Sequence, residues 1–167
     1  MPVQRLNHAV LYVRDVDRSV AFYQEALGFR VVMGMPGAAF LQAEGSSNDH
    51  DLGLFQIGPD AAASGAGRTS VGLYHLAWEV DTLSELERVA AKLTELGALV
   101  GASDHSTTKA LYAKDPDGLE FEVSWLVPLS LLSEDVIKAK TSIRPLDIAR
   151  EKARFGAETR GGVGVSV

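Results

Sequence analysis

Apolar positions along this chain change period in a fixed order, and the order occurs twice. Val3–Val13 is a short, largely apolar run that predicts a strand. Asp15 or Asp17 then offers a carboxylate to the free N–H groups of a helix start. Val16, Val20, Tyr23 and Leu27 recur at three- and four-residue steps, which gives that helix one apolar face. Gly28 suits the left-handed conformation that ends it. Three more apolar runs follow, at about Phe29–Met35, Ala39–Ala43 and Asp51–Ile57.

The second pass begins with a strand at Gly72–Val80. Thr82-Leu83-Ser84-Glu85 has the spacing of a capping box. Leu83, Leu86, Ala90, Leu93 and Gly97 follow one helical face, and Gly97 takes the place of Gly28. Runs at Ala98–Ala102, Ala110–Lys114 and Leu119–Leu126 complete the unit, with Asp115-Pro116-Asp117-Gly118 composed as a type I turn. Each unit is strand, helix, then three strands, so the fold class is α+β with two βαβββ modules. The modules occupy about residues 3–58 and 71–127, within one domain spanning 1–128. Gly58–Ser70, rich in Gly, Ala and Ser, reads as a flexible linker. Residues 129–167 form a C-terminal extension, with helical character at Leu131–Lys140 and Leu146–Phe155 broken at Pro145. The end, around Gly161–Gly164, lacks any period and reads as mobile. Trp78, Trp125 and the helix leucines read as core.

Composition narrows the function classes. Of 167 residues, 46% are hydrophobic and 23% charged, ordinary for a globular protein. A net charge of −6 without a basic stripe argues against a nucleic-acid partner. No apolar run approaches a membrane span. The stretch Met1–His8 has no signal-peptide core. With no cysteine, disulfides and thiolate metal sites are excluded. A cytoplasmic protein is the natural reading.

Candidate chemistry lies in the histidines, of which there are four: His8, His50, His75 and His105. His8 and His75 sit at matching points of the two units, 67 residues apart. A lone histidine on an apolar strand is more often structural; repetition in register singles these two out. Glu122 closes the second unit. Two histidines and a carboxylate are what a mononuclear iron(II) site needs if it keeps coordination positions open. His50 and His105 are then free for proton chemistry. Ordinary roles exist for each: His50 lies in a polar loop, His105 in a turn-like segment, and Tyr112 could be a core tyrosine with a satisfied hydroxyl. Either Glu120 or Glu122, which share a strand face, could be a solvated carboxylate.

Paired strand–helix–three-strand modules with a candidate ligand on each first strand resemble the vicinal oxygen chelate superfamily, over roughly Val3 to Leu126. The resemblance implies two modules pairing into an open cup-shaped barrel around one metal. His105, an apolar residue and Tyr at Leu111-Tyr112, Asp115-Pro116-Asp117-Gly118 and Glu122 are similar in order and spacing to the extradiol ring-cleavage dioxygenase motif. One departure is Ser103, two positions before the histidine, where that group favours other residues. The short chain is similar to the single-domain kind of extradiol enzyme. Carried over, the resemblance implies His8, His75 and Glu122 as metal ligands; the Tyr112-to-Glu122 spacing favours Glu122 over Glu120. It implies His50 as the acid–base nearest oxygen, with His105 and Tyr112 hydrogen-bonding the substrate. Fe(II) is the implied metal, and Mn(II) suits the same ligands. The implied partners are a small-molecule catechol, O2 and further copies of the chain in a homo-oligomer.

Two other readings share this fold. A glyoxalase- or epimerase-type lyase or isomerase would need a ligand near Gly53–Phe55, where none is present. A bleomycin-resistance-like binding protein dispenses with metal and leaves His8, His75 and Glu122 without a purpose. Met33, Met35 and Phe40 are candidates for lining a substrate pocket.

Overall fold

The computed structural model describes residues 2–67 and 69–162. It divides into two compact units. The first runs through Ser64 and takes in Asp115–Gly118; the second holds Gly65–Lys114 and the chain from Leu119 onward. The expected mobile end beyond Gly162 lies outside the described residues.

The first unit has the order β1 (Ala9–Val13), α1 (Val16–Leu27), β2 (Arg30–Met35), β3 (Ala38–Gln42) and β4 (Leu52–Gln56). Its sheet order is β1-β4-β3-β2, with β1 parallel to β4 and the other pairs antiparallel. Asp15 caps α1 by accepting from the Arg18 amide, and Gly28 ends it at φ 71°. Val16, Ser19, Tyr23 and Ala26 form the buried stripe, one step round from the expected Val20 and Leu27. That stripe packs on β3 and β4, where Leu41, Leu52 and Leu54 are fully buried. Each such leucine contributes about 1.5–3 kcal/mol by leaving water.

The second unit runs β5 (Leu76–Glu79), α2 (Leu83–Glu95), β6 (Leu99–Asp104), β7 (Thr108–Lys114), β8 (Glu120–Leu126), α3 (Glu134–Lys138), β9 (Arg144–Pro145) and α4 (Ile148–Phe155). The sheet order is β5-β8-β7-β6-β9. Thr82 caps α2 by accepting from the Glu85 amide, as the capping-box spacing predicts. Glu85 does not return the bond, because its carboxylate takes the Arg88 guanidinium instead. Leu83, Leu86, Val89 and Leu93 are buried on α2, above Phe121, Val123 and Trp125 of β8.

The α+β class and the repeated strand–helix–three-strand order are as the sequence predicts. Four details differ. The first strand starts at Ala9 rather than Val3, because its ladder partner begins at Leu52, and residues 2–8 are exposed. The second unit's first strand starts at Leu76, so His8 and His75 sit just before their strands rather than within them. Pro145 does not merely break a helix. With Arg144 it forms β9, an edge strand on Ser103 and Asp104, where a missing N–H is tolerated. Trp125 is fully buried, but Trp78 is only half-buried.

The β7–β8 turn belongs with the first unit. Asp115 accepts from the Asp117 amide through Oδ1 and from the Gly118 amide through its carbonyl, and Gly118 stands at φ 83°. Arg14 then grips Asp117 twice at 2.9 Å, once through Nη1 and once through its backbone amide. The Tyr23 hydroxyl donates to Asp115 at 3.3 Å.

In the second unit the C-terminal segment is docked. Trp125 Nε1 donates to the Thr159 carbonyl at 3.1 Å, and Lys152 pairs with Glu87 at 2.5 Å. No helix among the described residues is long and apolar enough to cross a membrane.

Candidate metal and acid–base site

The second unit gathers four of the six candidate residues. Tyr112 on β7 lies directly opposite Glu122 on β8, and Glu122 in turn lies opposite Ala77 on β5. Successive strand side chains alternate between faces, so Tyr112 and Glu122 share one face while Lys109, Leu111 and Ala113 share the other. His75, next to β5, brings Nε2 to 3.5 Å from Glu122 Oε2. Its ring centroid is 6.0 Å from that of Tyr112. From the β6–β7 turn, His105 Nε2 lies 3.0 Å from the Tyr112 hydroxyl oxygen. The row is therefore His105, Tyr112, Glu122, His75.

Electrostatics sets the state of one member of this row. Desolvation, then the neighbouring Glu122 charge and a hydrogen bond to its carboxylate, push the Tyr112 phenol up to about 12. Tyr112 thus stays protonated beside Glu122, and its hydroxyl shares a hydrogen bond with His105 Nε2.

His75 is not a satisfied core histidine. Its Nδ1 is buried without a hydrogen-bond partner, an uncommon state for a polar atom. Its Nε2 and the Glu122 oxygen are two electron-pair donors side by side. Neighbouring donors in a metal shell with bonds of about 2.1 Å stand about 3 Å apart, close to the spacing found here. The pair suits a divalent ion on the chemistry of its donors. Among the described residues, no three His, Cys, Asp or Glu side chains form a group that could hold a metal ion.

The other two candidates, His8 and His50, fall in the first unit. Their rings lie tilted by 43° with centroids 4.4 Å apart, and Phe40 meets His50 edge-on at 5.1 Å. His8 is exposed, with Nδ1 2.7 Å from Asn7 Oδ1. The His50 side chain is 16% exposed and its Nδ1 lies 3.1 Å from Asp49 Oδ2. A side-chain and a backbone hydrogen bond from His50 hold the exposed Asp49 carboxyl below its usual range.

The loop carrying His50 is built, not loose. Asp51 accepts from the Ala43 amide, Ser46 Oγ and Asn48 Nδ2, and Asn48 Nδ2 also donates to the Asn7 carbonyl at 2.8 Å. Sequence reasoning missed these supports. The Asx-rich string Ser46-Ser47-Asn48-Asp49 was the signal, since Asn and Asp side chains fold such loops back on themselves. Met33 and Met35 are half-exposed on β2 and share the sheet face of Phe40 by register.

Comparison with known proteins sets this geometry in a family. Residues 5–123 match the family described as Glyoxalase/Bleomycin resistance protein/Dioxygenase superfamily. The chain belongs to this superfamily. Over 118 residues it is 34% identical to a catechol-2,3-dioxygenase of Bacillus subtilis, covering 71% of this chain but only 40% of that protein. A metallothiol transferase FosB of Lysinibacillus sphaericus is 26% identical over 129 residues, 73% of this chain and 82% of that one. In structure, a glyoxylase/bleomycin resistance protein/dioxygenase domain from Frankia sp. EAN1pec superposes with a TM-score of 0.59 at 22% identity, over 75% of this chain and 94% of that one. Superfamily membership fixes the fold and not the reaction, because one scaffold hosts several chemistries.

Proposed function

We propose that this chain is an oxidoreductase that opens a catechol-type ring by the extradiol route, with Fe(II) as cofactor and both atoms of O2 entering the product. The observation that carries the reading is the row His105, Tyr112, Glu122, His75 on the second sheet. A lyase or isomerase needs a ligand set and one base. It has no use for a histidine–phenol pair directly beside the carboxylate.

On this reading His8, His75 and Glu122 hold the ion. Bound iron(II) supplies open coordination positions and a redox path between the diol and O2. The remaining work falls to the protein. Tyr112, protonated to about pH 12, cannot act as the base; it donates a hydrogen bond that fixes a substrate oxygen. His105, 3.0 Å from the Tyr112 oxygen, holds that phenol in place and hydrogen-bonds the substrate beside it. The diol must lose protons on binding and the oxygen must gain one. Histidine is the side chain whose titration spans the required range. His50, packed on Phe40 and tied to Asp49, is the acid–base for the oxygen. The hydroxyl pair of a small catechol and O2 are the partners this set recognises.

The test is anaerobic reconstitution with Fe(II), followed by 2,3-dihydroxybiphenyl and catechol in air. A yellow ring-opened product that depends on iron supports the proposal. A chain that holds iron and leaves both diols untouched argues against it.

A further inference from the structure

The mechanism above makes no use of Lys109, yet it is the most deeply buried cation described. It is fully buried on the helix-facing side of β7, opposite the face that carries Tyr112. Its ammonium donates to Asp104 Oδ1 at 2.5 Å and to the Ser106 carbonyl at 3.0 Å, and it forms an ion pair with Glu151 Oε2 of α4 at 3.0 Å. Glu151 is itself 1% exposed and takes Arg150 Nε at 2.9 Å. Arg150 also reaches Asp104 Oδ2 at 3.5 Å.

These contacts converge on one residue. Ser106 is the only described non-glycine residue with positive φ, at 67°, a conformation that serine adopts only under restraint. Its amide donates to Asp104 Oδ1 at 2.8 Å, its carbonyl accepts from Lys109, and its hydroxyl donates to the Val136 carbonyl of α3 at 2.8 Å. Every polar group of the strained residue is held, and two of the holds lead into the C-terminal segment. β9 closes the same end by pairing Arg144 with Asp104. The residue before Ser106 is His105.

We propose that the C-terminal segment 129–162 is a positioning clamp for His105. Glu151, through Lys109, and Val136, through Ser106, hold the β6–β7 turn in the left-handed conformation that brings His105 Nε2 to Tyr112. Lys109, Glu151 and Ser106 are positioning residues; none touches the Tyr112–Glu122 face. The effect on turnover rests on the extradiol reading, whereas the effect on the His105 ring does not. A buried ion cluster kept only for stability has no reason to centre on the one strained turn beside a candidate active-site histidine, and such clusters are weak stabilisers in general.

The test uses the full chain labelled with 15N-histidine. His105 resonances are assigned by their loss in His105→Asn. In Glu151→Gln, which keeps the shape and removes the charge, the metal-free protein should show a shifted His105 Nε2 signal. The iron-loaded protein should bind the same amount of iron, with kcat for the diol down about 10-fold or more and KM little changed. Ser106→Ala removes the α3 tether without touching the ion cluster and should move the same signal; it decides the matter if Glu151→Gln does not fold. Lys92→Met breaks the surface pair with Glu95, outside the C-terminal segment, and should leave His105 unmoved. If the His105 signal and kcat stay as in the parent in both test variants while only the melting temperature falls, the clamp is wrong. If the signal shifts but the parent turns over no diol, the clamp stands and the extradiol reading falls.

Discussion

His105 Nε2 and the Tyr112 hydroxyl oxygen are 3.0 Å apart, and Tyr112 faces Glu122 across the β7–β8 ladder. A turn histidine and a mid-strand tyrosine, seven residues apart in the chain, are thereby made one hydrogen-bonded unit. The proton on that unit is fixed by burial and by the carboxylate next to it. Tyr112 therefore keeps its proton well above neutral pH.

Tyr112→Phe removes that donor and nothing else of size. Its expected effect is a fall of about 10-fold or more in kcat/KM for the diol, with iron content unchanged. Steady-state kinetics beside metal analysis check it. Ultraviolet titration of the parent should show two phenols, Tyr23 and Tyr112, still protonated above about pH 10, and Tyr112→Phe only one.

His75→Ala and Glu122→Gln should each release iron, since they remove the donors that stand side by side at 3.5 Å. His50→Phe should retain iron and slow turnover by about two orders of magnitude or more. Metal content after desalting separates the two classes. A His50→Phe protein with normal turnover would remove His50 from the mechanism.

Lys109→Met leaves the buried Asp104 and Glu151 with Arg150 at the surface and no buried cation, a loss of up to about 3–5 kcal/mol. Urea denaturation of parent and variant measures it. The same cluster gives the fold an acid limit. Burial alone would raise the Asp104 carboxyl; the Lys109 hydrogen bond, the Ser106 amide and the charges of Lys109 and Arg150 outweigh it and hold Asp104 below its usual range. A depressed carboxyl contributes stability above its unfolded value of about 3.9 and loses it as pH falls through the lower folded value. Stability should therefore drop below about pH 4, and Asp104→Asn should flatten that drop.

Asp117→Ala removes both bonds from Arg14, at 2.9 Å each. The expected loss is about 1–3 kcal/mol, since the Arg14 amide then lacks its acceptor in a part-buried place. The midpoint of thermal or urea unfolding reads it directly.

Much of this architecture is legible in the chain because period and punctuation agree. Gly28 and Gly97 both adopt positive φ after their helices, and Asp15 and Thr82 both cap, as their positions predict. Strand starts are less legible. Val3 and Leu6 extend the apolar run toward the N-terminus, but a strand needs a ladder partner, and β4 supplies one only from Leu52. β9 escapes notice because two residues carry no period. Of the site, Tyr112 and Glu122 are readable because a tight turn at Asp115–Gly118 fixes their register. The supports of His105 are not: a lysine in a strand reads as solvated, and only the fold brings Glu151, 42 positions along the chain, to neutralise it.

The central claim is ring opening beside the diol with uptake of O2, and an oxygen electrode coupled to product NMR tests it most directly. The iron-loaded chain and 2,3-dihydroxybiphenyl should consume O2 and diol in equal amounts and yield a product cleaved next to, not between, the two hydroxyl-bearing carbons. Cleavage between those carbons, oxidation to a quinone, or no O2 uptake by a chain that holds iron would contradict the account.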